Sequence, residues 1–282
     1  MVKLYYEDEK VKIFHGDFLE LKLDDEDLPN VIITSPPYNV DMPYDEYNDF
    51  MPYPVYLNKV RRWMVKMRRL LKTDGRLIIN IPFAIYKGER IPVVADYCRI
   101  GKEVGLKFHT IIVWDKGAVL KNNFGSMDAQ NPFCVQRTEA ILVFYKNSWK
   151  REGKSFIRKD RYLKLTEGYW QIPGPKQNLG HPAPFSEKLV EAIIELFVLE
   201  GDVVMDPFMG TGTTLVVAKR YGLKAIGIDI SERYCWTAKR RCERVQGVQQ
   251  KLPDIFASSE SRIEGDVKNE KKKEVKGWWI SI

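Results

Sequence analysis

Residues 202–214 read DVVMDPFMGTGTT: a short apolar run ending in Asp206, a turn carrying two glycines, then two threonines. A β-branched run that passes through glycines into a helical stretch reads as strand, turn and helix, and such a turn lets backbone amides approach a ligand at the carboxyl edge of a sheet. The turn lacks the Lys of a G-x-x-x-x-G-K-[ST] phosphate loop and the G-x-G-x-x-G spacing of a dinucleotide site, which weakens a phosphate-binding reading. One strand later AIGID closes on Asp229, placed as a carboxylate that accepts hydrogen bonds from ribose hydroxyls would be. By itself, a Gly-rich turn is more often plain turn chemistry.

Outward from this unit the chain alternates short β-branched runs with helical stretches, the pattern of a mostly parallel α/β sheet. Seven strands are predicted, at residues 12–17, 31–35, 76–81, 108–114, 139–145, 202–206 and 225–229. Helices are predicted over 54–71, 91–104, 186–199 and 213–221, with Ser186 as an N-cap followed by Leu189, Ile193 and Leu196 at helical spacing. Two regions break the alternation. Residues 146–180 are basic, aromatic and rich in Gly and Pro, and read as an excursion from the sheet. Residues 246–282 are polar with closely spaced charges of both signs, and read as a flexible tail after a single folded domain over 1–245.

With 282 residues and 44% hydrophobic content the chain buries a sizeable core, and 45 Lys and Arg against 38 Asp and Glu give a net charge of +7 that suits a polyanionic partner. Cys98, Cys134, Cys235 and Cys242 form no C-x-x-C pair and the three histidines lie apart, so zinc-ligand spacing is absent and no metal is expected. The N-terminus has no apolar signal core and no stretch approaches the roughly 20 apolar residues of a membrane helix, so a cytoplasmic protein without a membrane partner is expected.

Residues 34–39 read TSPPYN, directly after the apolar strand VII. Two prolines stiffen the backbone and remove two N–H donors, leaving carbonyl oxygens free at a rigid strand end. Ser35 adds a hydroxyl and Tyr38 an aromatic face, a combination that accepts hydrogen bonds from a planar amine and stacks on its ring. In isolation, a Pro-Pro turn capping a strand is the plainer reading.

Together the two motifs resemble those of the amino-methyltransferase family of DNA-modifying enzymes. TSPPY is similar to the catalytic motif of that family and DPFMGTGTT to its cofactor motif, and their order resembles its circularly permuted beta group. Further landmarks are GD at 16–17, LLKTDGRLIINIP at 70–82, RTEAILVFYK at 137–146 and HPAPFSEKLVEAII at 181–194. The resemblance implies a doubly wound, Rossmann-like sheet of seven strands, mostly parallel, with the strand at 139–145 antiparallel and a small inserted target-recognition region at 146–180. It implies S-adenosylmethionine as cofactor, with Asp206, Phe208, Gly210, Gly212 and Thr213 around its methionine moiety, Asp229 on its ribose and Asp17 at its adenine amine. Phe185 and Ser186 fall where the family binds the carboxylate end, although HPAPFS departs from the usual H-P-T-Q-K-P.

The implied chemistry is transfer of a methyl group to an exocyclic base amine, with Ser35, Pro36, Pro37 and Tyr38 as the catalytic residues. Hydrogen bonds from the amine to Ser35 and to the Pro36 carbonyl favour a pyramidal nitrogen with its lone pair aimed at the methyl group, and Tyr38 stacks on the flipped base. No cysteine sits in a Pro-Cys setting, which disfavours attack on a pyrimidine ring carbon. Ser before Pro-Pro-Tyr is the more frequent choice of the family for cytosine N4, while adenine enzymes usually carry Asp, with exceptions. Cytosine N4 is therefore the leading expectation and adenine N6 its rival, followed by an RNA or protein methyltransferase and a catalytically silent DNA-binding module.

Double-stranded DNA is the implied partner, and a cognate restriction endonuclease acting separately fits the same family; the residues select no oligomeric state. Residues 58–72 hold seven basic residues at helical spacing, more simply a solvated helix face. Residues 146–164 hold eight basic and two acidic residues interleaved with Trp149, Phe156 and Tyr162, a mixture suited to phosphate contacts. The loop at 39–53 suits closure over a flipped base, and Lys121, Asn122, Asn123, Gln130 and Gln136 at 116–137 suit the reading of base edges, while both loops fit an ordinary surface role equally well.

Overall fold

A computed structural model describes residues 1–117, 136–175 and 185–245. Lys121, Asn122, Asn123, Gln130, Cys134, His181, Pro182 and the tail at 246–282 lie outside the described residues. The strands are β1 (Lys3–Glu7), β2 (Val11–His15), β3 (Val31–Thr34), β4 (Arg76–Pro82), β5 (Ile85–Tyr86), β6 (Arg90–Ile91), β7 (Lys107–Asp115), β8 (Thr138–Tyr145), β9 (Tyr169–Gln171), β10 (Val203–Asp206) and β11 (Lys224–Asp229). The helices are α1 (Tyr53–Leu70), α2 (Val93–Glu103), α3 (Lys159–Thr166), α4 (Glu187–Phe197), α5 (Thr213–Arg220) and α6 (Glu232–Glu243).

All seven expected strands form, and they share one sheet of order β1-β2-β11-β10-β3-β4-β8-β7-β9, two strands wider than the sequence predicts. The additions are its edges: β1 runs antiparallel to β2, and the three-residue β9 runs parallel to β7. Strand β8 is antiparallel to both its neighbours, β4 and β7, as expected, so among the described residues the sheet has two antiparallel strands rather than one. Residues 169–171 thus belong to the sheet and are no excursion from it.

The central strands are buried on both faces because helices cover both. Every residue of β3 and β10 is buried, which explains their unbroken apolar spelling. On one face Ile32, Leu77, Ile79, Ile81, Met205 and Ile228 pack against α1 and α2. Helix α1 opens with Pro54 in its first turn and buries Tyr56, Val60, Trp63, Met64, Met67 and Leu70, a stripe at helical spacing that leaves its arginines outside. Helices α4, α5 and α6 cover the other face.

Strand β3 leads to β4 on one side of the sheet, while its neighbour β10 leads to β11 on the other. The direction of winding reverses between them, and in an open α/β sheet that reversal leaves a crevice at the carboxyl ends of the two strands. The fold therefore brings TSPPYN and DPFMGTGTT, far apart in the chain, to one edge.

Candidate active site

That edge opens into a cleft of about 380 Å³. Ser35, Pro37 and Tyr38 line it from the end of β3, and Asp206, Phe208, Gly210 and Thr213 from the end of β10. Asp17, Phe185 and Asp229 complete the set of expected residues on its wall. Pro36, Ser186 and Gly212 are not on the wall. Ser186 is buried at the N-cap position of α4, but its hydroxyl donates to the Pro173 carbonyl at 3.2 Å instead of capping the helix. Gly212 has a φ of 78°, and a Cβ there would stand 2.6 Å from the Cβ of Ala238. The absence of a side chain at Gly212 is thus demanded by backbone conformation and helix packing rather than by a ligand.

The Gly-rich turn is held by two buried carboxylates. Asp206 accepts from the Thr34 hydroxyl at 2.7 Å, the Thr214 hydroxyl at 2.7 Å and the Phe208 amide at 3.1 Å. It joins the two motif-bearing strands and the first turn of α5, and burial raises its pKa to about 6. Asp229 accepts from the amides of Gly210 and Ser231, each at 2.9 Å, and burial likewise raises its pKa to about 6. Each oxygen of Asp229 receives one amide and so keeps a lone pair for another donor, such as a sugar hydroxyl. Asp17, by contrast, is exposed; one oxygen receives the Leu19 amide at 2.8 Å.

At the catalytic motif the Pro37 carbonyl is taken by the Tyr56 hydroxyl at 3.0 Å, and Tyr56 bonds Tyr97 at 2.8 Å. The Pro36 carbonyl accepts no hydrogen bond from the described residues. The hydroxyls of Ser35 and Tyr38 are hydrogen-bonded to each other. Tyr38 also donates to the main-chain carbonyl of Asn80 at 3.2 Å and accepts from Nδ2 of Asn80 at 3.1 Å. Burial raises its pKa well above the usual phenol range, so the hydroxyl keeps its proton.

Several residues that shape the cleft carry no readable signal in the sequence. Asp49 is buried and receives the amides of Asn39, Val40 and Met42 at 2.8, 2.9 and 3.2 Å. Asn39 has a φ of 61° and bonds the backbone of Met51 in both directions at 2.9 Å. The loop at 39–51 is therefore a built element, and it sets Tyr44, Tyr47 and Met51 on the cleft wall. Its Asp45 accepts from the Ser231 hydroxyl at 2.5 Å, fastening it beside Asp229. Opposite, Phe208 meets Phe18 and Trp63 edge-on at 5.8 and 4.8 Å. From the stretch read as a solvated helix face, Lys59 turns into the cleft with its ammonium 4.3 Å from the Tyr47 ring centre, and burial lowers its pKa. Aromatic faces beside two carboxylates suit a nucleoside, with its base against the rings and its hydroxyls and amine on the carboxylates.

The basic region at 146–175 is only partly a surface. Arg151 is buried in a bidentate pair with Asp202 at 2.7 and 2.8 Å, and Arg161 docks α3 on α4 through Glu195 at 2.8 Å. Trp149 packs between the guanidinium of Arg76 and the ring of His109, and Phe156 packs against Tyr221. These side chains hold the insert to the core and are withheld from phosphates. Lys150, Lys154, Lys159, Tyr162 and Leu163 remain exposed. Among the described residues no helix is long and apolar enough to cross a membrane.

Comparison with known proteins agrees with this geometry. A family model for N6/N4 methyltransferases, described as DNA methylase, matches residues 30–240. The Type II methyltransferase M.MjaVI of Methanocaldococcus jannaschii is 38% identical over 178 residues, 62% of this chain and 91% of M.MjaVI. The DNA adenine methyltransferase YhdJ of Escherichia coli K12 is 28% identical over 255 residues, 82% of each protein. The structure of TTHA0409 from Thermus thermophilus, complexed with S-adenosyl-L-methionine, matches with a TM-score of 0.65 at 27% identity, covering 83% of this chain and 93% of that one.

Proposed function

We propose, from the premise that this chain belongs to the DNA methylase family and is an S-adenosylmethionine-dependent DNA methyltransferase, that it methylates the N4 amine of cytosine flipped out of duplex DNA. The observation that carries the reading is Ser35, whose hydroxyl stands at the end of β3 in the same cleft as Asp229 and the Gly-rich turn. By the family resemblance, Ser before Pro-Pro-Tyr is the more frequent choice for cytosine N4, and its hydroxyl can accept a hydrogen bond from the base amine.

Bound S-adenosylmethionine supplies a methyl group on a sulfonium, ready for in-line transfer. In this reading Asp229 holds the ribose, Asp17 the adenine amine, and Phe185, Phe208, Gly210 and Thr213 line the rest of the cofactor path, with Asp206 keeping the turn in shape. The lone pair of a base amine is delocalised into its ring and is a poor nucleophile. Hydrogen bonds from its two N–H groups to Ser35 and to the unclaimed Pro36 carbonyl favour a pyramidal nitrogen and aim its lone pair at the methyl group. Pro37, clamped through its carbonyl by Tyr56, keeps this strand end rigid, and the Tyr38 ring stacks on the base, offsetting part of the few kcal/mol spent on unstacking.

Recognition of the target falls to the insert at 146–180, through Lys150, Lys154, Lys159 and Tyr162. A cognate restriction endonuclease acting separately fits the same reading. A second reading, adenine N6, is favoured by the similarity to YhdJ. The deciding experiment incubates the protein with mixed-sequence duplex DNA and labelled S-adenosylmethionine, digests to nucleosides and identifies the methylated one by mass spectrometry. N4-methylcytosine is expected. N6-methyladenine would keep the cofactor site and overturn the inference from Ser35, and label in RNA or protein alone would overturn the substrate class.

A further inference from the structure

Behind Tyr38 lies a line of polar side chains that the transfer step itself does not use. Asn80 is buried on β4, and its Nδ2 donates both to the Tyr38 oxygen at 3.1 Å and to Oε2 of Glu139 at 2.6 Å. Glu139, at the start of the antiparallel β8, reaches the same edge of the sheet as Asn80 and is ion-paired with Lys116, which follows β7. A continuous hydrogen-bonded chain therefore runs from Lys116 through Glu139, Asn80 and Tyr38 to Ser35.

The donor and acceptor roles along this chain follow from counting protons. A phenol oxygen has one proton and two lone pairs. One lone pair is taken by Nδ2 of Asn80, and the main-chain carbonyl of Asn80, which can only accept, takes the proton. The bond between Tyr38 and Ser35 must then be donated by Ser35. With its own proton turned toward Tyr38, Ser35 presents only lone pairs to the cleft, which is what the N–H of a base amine requires.

The amide orientation of Asn80 is set from behind. Turned the other way, its oxygen would face the carboxylate of Glu139, acceptor against acceptor. In the observed orientation Oδ1 is buried without a partner among the described residues, so its hydrogen bonding is given up to keep both donors in place.

We propose that Asn80, pinned by Glu139 and Lys116, is a positioning residue acting through Tyr38: its Nδ2 holds the phenol oxygen beside the main-chain carbonyl that takes the phenol proton, and so keeps Ser35 a hydrogen-bond acceptor toward the substrate amine. The inference rests on the methyl-transfer reading above. It is tested by a double-mutant cycle on kcat for methyl transfer to mixed-sequence duplex DNA, with cofactor Kd and Tm measured on every variant. Asn80→Ala is expected to lower kcat about tenfold with cofactor Kd unchanged, and to have less than a twofold effect in a Tyr38→Phe background, where there is no phenol oxygen to orient. A purely structural Asn80 would cost the same factor in both backgrounds, and that result would overturn the proposal.

Lys116→Met, at the half-exposed end of the chain, provides a variant that does not threaten folding; it is expected to lower kcat about threefold, again only when Tyr38 is present. Glu139→Gln retains an oxygen that can accept from Asn80 and should restore most of the rate lost in Glu139→Ala. Equal loss in both Glu139 variants would remove Glu139 from the chain. If the unaltered protein labels no DNA, the methyl-transfer reading itself has failed, an outcome distinct from additivity in the cycle.

Discussion

The backbone amide of Gly210 donates to Oδ2 of Asp229 at 2.9 Å, tying the Gly-rich turn after β10 to the last residue of β11. The pKa of Asp229 is raised by burial from 3.8 to about 6. Ionising it therefore works against folding: its contribution to stability is full below pH 3.8 and is lost as pH rises through about 6. Ligand binding has the opposite sign, because the ionised carboxylate is the better acceptor for sugar hydroxyls. Cofactor affinity should fall as pH drops from about 7.5 through about 6, measured by calorimetric titration, and Asp229→Asn should bind weakly with this step absent. A wild-type affinity that is flat across the interval would remove Asp229 from the ribose site.

Thr34→Val deletes one of three donors to buried Asp206 while keeping the side-chain shape. A loss of roughly 1–3 kcal/mol in unfolding free energy is expected at about pH 7.5. With one donor fewer, the ionised form of Asp206 is held less well and its folded pKa rises further above 6. The loss should accordingly be larger at about pH 7.5 than at about pH 5, where the carboxyl is protonated, and urea unfolding at the two pH values measures the difference.

Gly212→Ala meets two obstacles: a positive φ and the Cβ of Ala238 on α6. A destabilisation of about 1–3 kcal/mol is expected from this overpacking and strain. Adding Ala238→Gly removes the 2.6 Å contact but leaves the Cα of residue 238 at 3.1 Å and the φ penalty, so Tm should recover only in part. Full recovery would mean that backbone conformation contributes nothing at Gly212.

Asp202→Ala leaves the guanidinium of Arg151 buried with only the half-exposed Asp74 for a partner, and also removes the acceptor for the Leu199 amide. Unfolding free energy should fall by about 3 kcal/mol. The double variant Arg151→Met with Asp202→Leu should lose less than Asp202→Ala alone, since no unpaired charge is then left inside. Chemical denaturation of the three proteins decides the order.

The sheet was legible where apolar residues crowd together and faint where they do not. Strands such as VIIT and VVMD, covered on both faces, spell their burial without interruption. Edge strand β1 is half exposed, and β9 is three residues long beside a basic stretch, so neither has enough apolar pattern to register. Helix α6 buries Tyr234, Cys235, Ala238 and Cys242, residue types too small or polar to mark a stripe. At the site, Ser35, Tyr38, Asp206 and Asp229 were visible through local motifs. Asp49, Lys59, Asn80 and Glu139 draw their roles from partners brought close only by the fold, and sequence spacing holds no trace of those. Trp149 and Arg151 show the converse, since a basic and aromatic composition stood for packing as readily as for a surface.

Thr34 and Asp206 are 172 residues apart in the chain, and the ring of His15 meets the Ile230 carbonyl across 215. The two strands that close the middle of the sheet, β10 and β11, thus follow all the other described strands in the chain. A nascent chain can pair β4, β8 and β7 early, while β2 and β3 wait with bare inner edges. Until β10 and β11 are made, the cleft lacks the wall that Asp206, Phe208, Gly210 and Asp229 form. The cleft closes in one step, when β10 and β11 enter between β2 and β3, and the interval before it is when the growing polypeptide is most exposed to aggregation.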